Sequence, residues 1–267
     1  MIDLSLSSTT AAIPGNNWTG SASNLWNANG NWSYGTIPTG TDYVVIATGN
    51  PQIDGDVTIG AGSTLKISGT GTLTINPTKI LTIAGTADFG AKSVTLKSDV
   101  NGTAAIGQIT GTLSNASNVT VERYIPATRR AYRFLASPVT TTGGVFASWQ
   151  ESGTNAAGLG IQVSGIAGAA PGGVDATTGL DMTTTGSSSM FSYNGSAWAA
   201  VTNTKTTQLT PGAGFRVLVR GDRLTDLYAS NPAATATTIK ATGTVGQGTV
   251  TLSTLVTGFN LLGNPYP

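Results

Sequence analysis

Neither cysteine nor histidine occurs anywhere in the 267 residues. Without cysteine there is no disulfide framework, no thiolate nucleophile and no thiolate zinc site. Without histidine the commonest general base and the commonest metal ligand are missing as well. The two absences weaken most enzymatic readings at once. They leave the redox compartment open, because a large core needs no disulfides even outside the cell.

Charge is also scarce. Charged side chains make up 9% of the sequence, where an ordinary soluble domain carries about 25%. The 13 basic and 12 acidic residues leave a net charge of +1, far from the basic excess that phosphate backbones or anionic membranes attract. Nucleic acid is therefore not an expected partner. No segment approaches the roughly 20 apolar residues of a membrane span. The opening "MIDLSLSSTTAAIPG" lacks the basic region and long apolar stretch of a secretory signal. An exported protein with this start reads as a mature or trimmed form.

What is abundant is glycine, with 36 residues, together with threonine, serine and asparagine. Hydroxyls and amides then wet the surface in place of charges, a habit associated with secreted β proteins. A chain of this length can bury about 70–75% of its unfolded surface, enough for one long β domain or two ordinary ones.

The clearest pattern is a phrase that returns every eight residues: Val57-Thr-Ile59, Leu65-Lys-Ile67, Leu73-Thr-Ile75 and Leu81-Thr-Ile83. In each triplet the two apolar residues face one way and the middle residue the other, as a short half-buried strand requires. The spacers "GAGST", "SGTGT" and "NPTKI" have equal length. A small fixed period without drift predicts a parallel β-helix in which two or three sides make one turn; an antiparallel meander is the second reading. The rungs loosen after Ile83 and continue weakly to Val119-Thr-Val121.

Three regions follow. Residues 1–40 form a Trp-rich N-terminal cap, 41–121 the β-helical repeat, and 122–267 an antiparallel β-sandwich of jelly-roll type, truncated at its C-terminus. Trp18, Trp26 and Trp32 read as large rings covering the open end of the stack, with a sugar-stacking surface as the alternative. In "VERYIPATRRAYRFLASPV" one glutamate and four arginines sit among Tyr124, Tyr132 and Phe134. Such a cluster could bind an acidic polysaccharide or nucleic acid; the favoured reading places Tyr132 and Phe134 on one side and a solvated or ion-paired Arg133 on the other, at a domain seam. Residues 140–189, rich in Gly, Ala, Thr and Ser, read as long loops crossing the β domain and partly mobile. Strand signals return at "SMFSYNGSAWAAV", where Asn194-Gly195 marks a tight hairpin.

Acid-base chemistry would have to come from carboxylates. Asp54 and Asp56 flank Gly55 two positions apart, a spacing that could serve Ca²⁺ or a glycosidase but that more often belongs to a turn. Asp222 and Asp226 in "RGDRLTDLYA" read as an exposed turn, and the Arg-Gly-Asp tripeptide there is short enough to arise by chance. Glu122 and Glu151 are the only glutamates. No P-loop, dinucleotide motif or nucleophile elbow is present. The sequence assigns no catalytic, cofactor-binding or metal-ligating residue, implies no cofactor and does not point to an enzyme.

"VERYIPATRRAYRFLASPV", "PGAGFRVLVRG" after "YNGSAW", and "GFNLLGNPYP" together resemble segments of large surface and secreted proteins of the Bacteroidota, cargo of the type IX secretion system. The resemblance spans about residues 40–267. It implies export, a cell-surface or extracellular location and an adhesive or filamentous role, with self-association, other surface proteins, glycans and the secretion machinery as partners. It also implies further strands and a sorting domain beyond Pro267. Association would run through strand edges, the ends of the repeat or an extended N-terminal segment, "IDLSLSST". The alternative is a carbohydrate-binding or polysaccharide-degrading β-helix protein.

Overall fold

The computed structural model describes residues 15–168, 173–229, 232–251 and 255–267. The "IDLSLSST" segment lies outside them. The protein is all-β, with a solenoid of about four turns leading into antiparallel sheets.

The eight-residue phrase is one side of a three-sided coil. One face stacks Tyr43–Ile46, Thr64–Ile67, Thr86–Asp88 and Thr112–Ser114 in parallel. A second stacks Gln52–Ile53, Leu73–Ile75, Val94–Leu96 and Val119–Ile125. The third stacks Val57–Ile59, Ile80–Ile83 and Ala105–Ile109. Val57 lies opposite Leu81, three phrases later, so three sides of eight residues close one turn. Leu65, Ile67, Leu73, Ile75, Leu81 and Ile83 fill the axis and are buried. The parallel reading therefore holds over the meander.

Corners need glycine where successive turns touch. Gly85 sits against the carbonyls of Gly60 and Ser63, and Gly111 in turn against that of Gly85; a Cβ at either would collide with backbone. This column lets the coils stack at strand spacing.

The N-terminal end is closed as the Trp triplet predicts. Asn16–Asn17 pairs with Tyr43–Ile46, and Leu25 bridges to Gln52, so two faces gain a covering rung. Trp32 meets Trp18 edge-on at 5.1 Å and Trp26 at 4.7 Å, and its indole N–H donates to the Trp26 carbonyl at 2.8 Å. All three rings are buried, which leaves no ring face for a sugar. The intervening Asn residues have a purpose too: buried Asn31 accepts from the amides of Ala22 and Ser23 and donates to the Leu25 carbonyl.

The other end is continued by the sandwich, because one strand belongs to both halves. Val119–Ile125 pairs in parallel with Val94–Leu96 and antiparallel with Thr237–Val245, which also pairs with Val139–Thr141. The apolar side of this back sheet continues the solenoid axis: Val119, Ile239, Ala241 and Val245 are buried in one core with Val94 and Leu96. Opposite it lies a front sheet ordered Ala131–Ala136, Gly214–Val219, Met190–Tyr193, Trp198–Ala200, antiparallel throughout. Its inner side contributes Phe215, Val217, Val219 and Met190. Trp149 meets Phe215 edge-on at 6.1 Å between the sheets.

The 140–189 tract is better organised than its composition suggests. It carries a short helix, Gly144–Ala147, buried Trp149, and a parallel strand pair, Ser164–Ala167 with Asp181–Thr183. A buried ion pair holds it. Arg223 grips Asp181 with both guanidinium ends, at 2.8 and 3.2 Å, and both side chains are fully buried. Arg223 also donates to the carbonyls of Ile161 and Thr154, and Asp181 accepts from Gln150 and the Val163 amide.

Candidate functional site

The residues singled out by sequence do not converge. Asp54 accepts from the Asn27 amide at 3.0 Å, and Asp56 from the Ile80 amide at 3.0 Å. Each carboxylate ties one turn of backbone to another, as turn residues do. The "RGD" segment is not an exposed turn: Gly221, Asp222 and Arg223 are buried. Asp222 accepts from the amides of Gly158 and Leu224, and Arg223 is the partner of Asp181 described above. Asp226 accepts from the Tyr228 amide. Glu122 pairs with Lys97 at 2.9 Å, tying the seam strand to a solenoid rung, and Glu151 with Lys240 at 2.8 Å. Among the described residues no three His, Cys, Asp or Glu side chains gather where they could hold a metal ion.

What the fold does assemble is the outer face of the front sheet. Strand alternation puts Tyr132 and Phe134 on this side, beside Arg216 and Leu218 of the next strand, then Phe191 and Tyr193, then Trp198. The alternation expected around Arg133 is present with its sides exchanged. Phe134 is 66% exposed, Tyr132 49% and Trp198 37%. Arg133 is half-buried and donates to the Thr128 hydroxyl at 2.9 Å. The inner side is already filled by Phe215 and Val217, so the aromatic residues of the edge strand take the outer one.

Arg216 organises the rings. Its guanidinium lies 4.2 Å from the Trp198 ring centroid, 4.7 Å from Phe191 and 4.8 Å from Tyr132. Phe134 stacks near-parallel to Trp198 at 6.0 Å, and Tyr193 leans on Trp198 at 5.1 Å. Each exposed cation–π contact is worth about 0.5–1 kcal/mol, so three fix the arginine in place. Arg216 makes no ion pair within the described residues, and its buried Nε has no hydrogen-bond partner there. A guanidinium has five N–H donors and no acceptor; the buried Nε is out of a ligand's reach, which leaves the Nη groups as the donors for one.

More cations lie at the same end of the molecule. All seven arginines fall between Arg123 and Arg223, and residues 122–267 hold nine basic against six acidic side chains. Of those arginines only Arg223 forms an ion pair among the described residues. Arg220 follows the strand that carries Arg216, and its Nη2 donates to Ser164 at 3.3 Å. Burial, and then the neighbouring Arg130 cation, lower its pKa.

A second feature is a groove of about 560 Å³ between the two sheets, lined by Val121, Leu135, Trp149, Ile239, Leu261 and Tyr266 among others. Residues 261–264, 266 and 267 also line it, with Leu262 and Tyr266 exposed.

The architecture defines a β-solenoid fused through a shared strand to an antiparallel sandwich that displays an arginine-centred aromatic face. Residues 17–156 match a family described as a domain of unknown function, DUF8693, and the chain belongs to that family. The match runs from the Trp cap through the solenoid into the first strands of the sandwich. No curated protein and no solved structure matches the chain.

Proposed function

We propose that the protein is an extracellular structural module, an adhesin or surface-filament subunit, in which the solenoid acts as a stiff spacer and the sandwich makes contact. The observation that carries this reading is the seam strand Val119–Ile125, hydrogen-bonded to the solenoid on one edge and to the sandwich on the other. A pull on the front sheet would pass through a shared core into the stack, not across a flexible linker. The likeness to type IX secretion cargo agrees with it. The segments that carry that likeness build the seam strand, the edge strand Ala131–Ala136, the hairpin at Asn194 and the strand Gly214–Val219. Export to the cell surface follows from the same reading, with partner chains meeting through strand edges, since one end of the stack is capped and the other is continued by the sandwich.

Bead adhesion tests it. Beads carrying the protein should stay attached to Bacteroidota cells under flow, while beads carrying heat-unfolded protein should wash away. Equal retention of both, or of neither, would remove the adhesive reading. Light scattering across a wide concentration range addresses the filament version, which needs association; monomers throughout would count against it.

A further inference from the structure

The outer face of the front sheet has Arg216 at the centre of its rings and further arginines beyond them toward one end. The antiparallel register sets Ala131 opposite Val219 and Phe134 opposite Arg216. Continued one step, it brings Arg130 beside Arg220, in keeping with the influence of Arg130 on Arg220. Alternation then lines up Arg130, Tyr132 and Phe134 along one strand and Arg220, Leu218 and Arg216 along its neighbour. Arg216 and Arg220 are four residues apart, roughly 13 Å at a strand rise of about 3.3 Å per residue. Arg129 and Arg130 are exposed, and no carboxylate ion-pairs with any of these arginines among the described residues.

We infer that this face is a binding site for an acidic polysaccharide, in which Tyr132, Phe134 and Trp198 stack against sugar rings and Arg216 and Arg130 pair with carboxylates spaced along the chain. The inference rests on the adhesive reading and names its ligand. Rings alone would suit neutral sugars, whose C–H faces pack on aromatic surfaces. The unpaired guanidinium donors are what select acid groups, because guanidinium–carboxylate pairing is bidentate and charge-assisted. Two cation positions well separated along a stripe favour a polymer over a single sugar, since both are filled only by a ligand long enough to reach them. A charged fraction of 9% leaves little competing charge elsewhere on the surface.

The test is affinity electrophoresis of the full chain in gels containing polygalacturonate, alginate, dextran or no polymer. Mobility should fall in the two acidic polymers, stay unchanged in dextran, and recover as salt rises from about 0.05 to 0.5 M. Trp198→Ala and Arg130→Ala should each weaken retardation about tenfold, equivalent to about 1.4 kcal/mol. Thermal melts identify any variant that has lost its fold; Arg130 is exposed and outside the core, so that variant keeps the test decisive. Retardation in dextran as strong as in alginate would overturn the acidic assignment. Equal binding of single-stranded DNA would reduce the site to general polyanion attraction and overturn the sugar assignment. No retardation in either acidic polymer, with bead adhesion to cells intact, would sink this inference and leave the adhesive reading standing. Failure of both assays would remove both.

Discussion

Asp181 and Arg223 show how much a single pair can organise. With both side chains fully buried, removal of either partner leaves a charge without compensation, at a cost of about 3–5 kcal/mol. Asp181→Ala should lower the urea midpoint accordingly, and a midpoint within experimental error of the parent would refute this role. The pair was invisible in the sequence. Arg223 sits in a glycine turn whose composition suggests exposure, and its partner is 42 residues upstream in a tract without periodicity. No local pattern reports a contact of that span. The Trp triplet was legible, because three large rings at the head of a repeat have few other places to go.

A second residue links stability to pH. The pKa of Asp88 is lowered, first by the hydrogen bond from the Asn115 side chain and then by that from the Gly90 amide. A carboxylate with a depressed folded-state value stabilises the fold at pH above its unfolded value and loses that contribution as pH falls through the folded one. Asp88→Asn should therefore be less stable than the parent at neutral pH, with the gap closing as pH falls through the lowered value of Asp88. Denaturant midpoints at neutral and at acid pH give the comparison; a gap that widens in acid would contradict the assignment.

Among elements, the solenoid was the most readable. Its period is local, so eight-residue spacing fixes strand, spacer and inward face together. The number of sides depends on which phrase lands over which, and only the pairing of Val57 with Leu81 decides on three. The front sheet was readable in alternation but not in sidedness: period two says that Tyr132 and Arg133 face oppositely, not which one meets solvent. That is settled by Phe215 and Val217, more than 80 residues later, which occupy the inner side. The corner column gives a sharp test. Gly85→Ala puts a Cβ against the backbone of Gly60 and should destabilise the solenoid by a few kcal/mol, about as much as Leu81→Ala at about 2–5 kcal/mol. Thr82→Lys, on the outer side of the same rung, should change stability by no more than about 0.5 kcal/mol. A tolerated Gly85→Ala would mean that the turns are not stacked this closely.

At the scale of the whole molecule, the seam strand turns two β architectures into one mechanical unit, and the arginine-centred rings sit on the sheet facing away from the shared core. On the proposed reading, spacer and contact face divide the work, with the solenoid supplying reach and stiffness and the sandwich adhesion. The most direct test is the detachment of protein-coated beads from alginate-coated glass under rising shear, comparing the parent, Thr82→Lys on the solenoid and the double variant Arg130→Ala/Trp198→Ala on the front sheet. Adhesion through the front sheet predicts parent-like retention for Thr82→Lys and loss of retention at low shear for the double variant. Equal retention of all three, with folding verified for each, would contradict it.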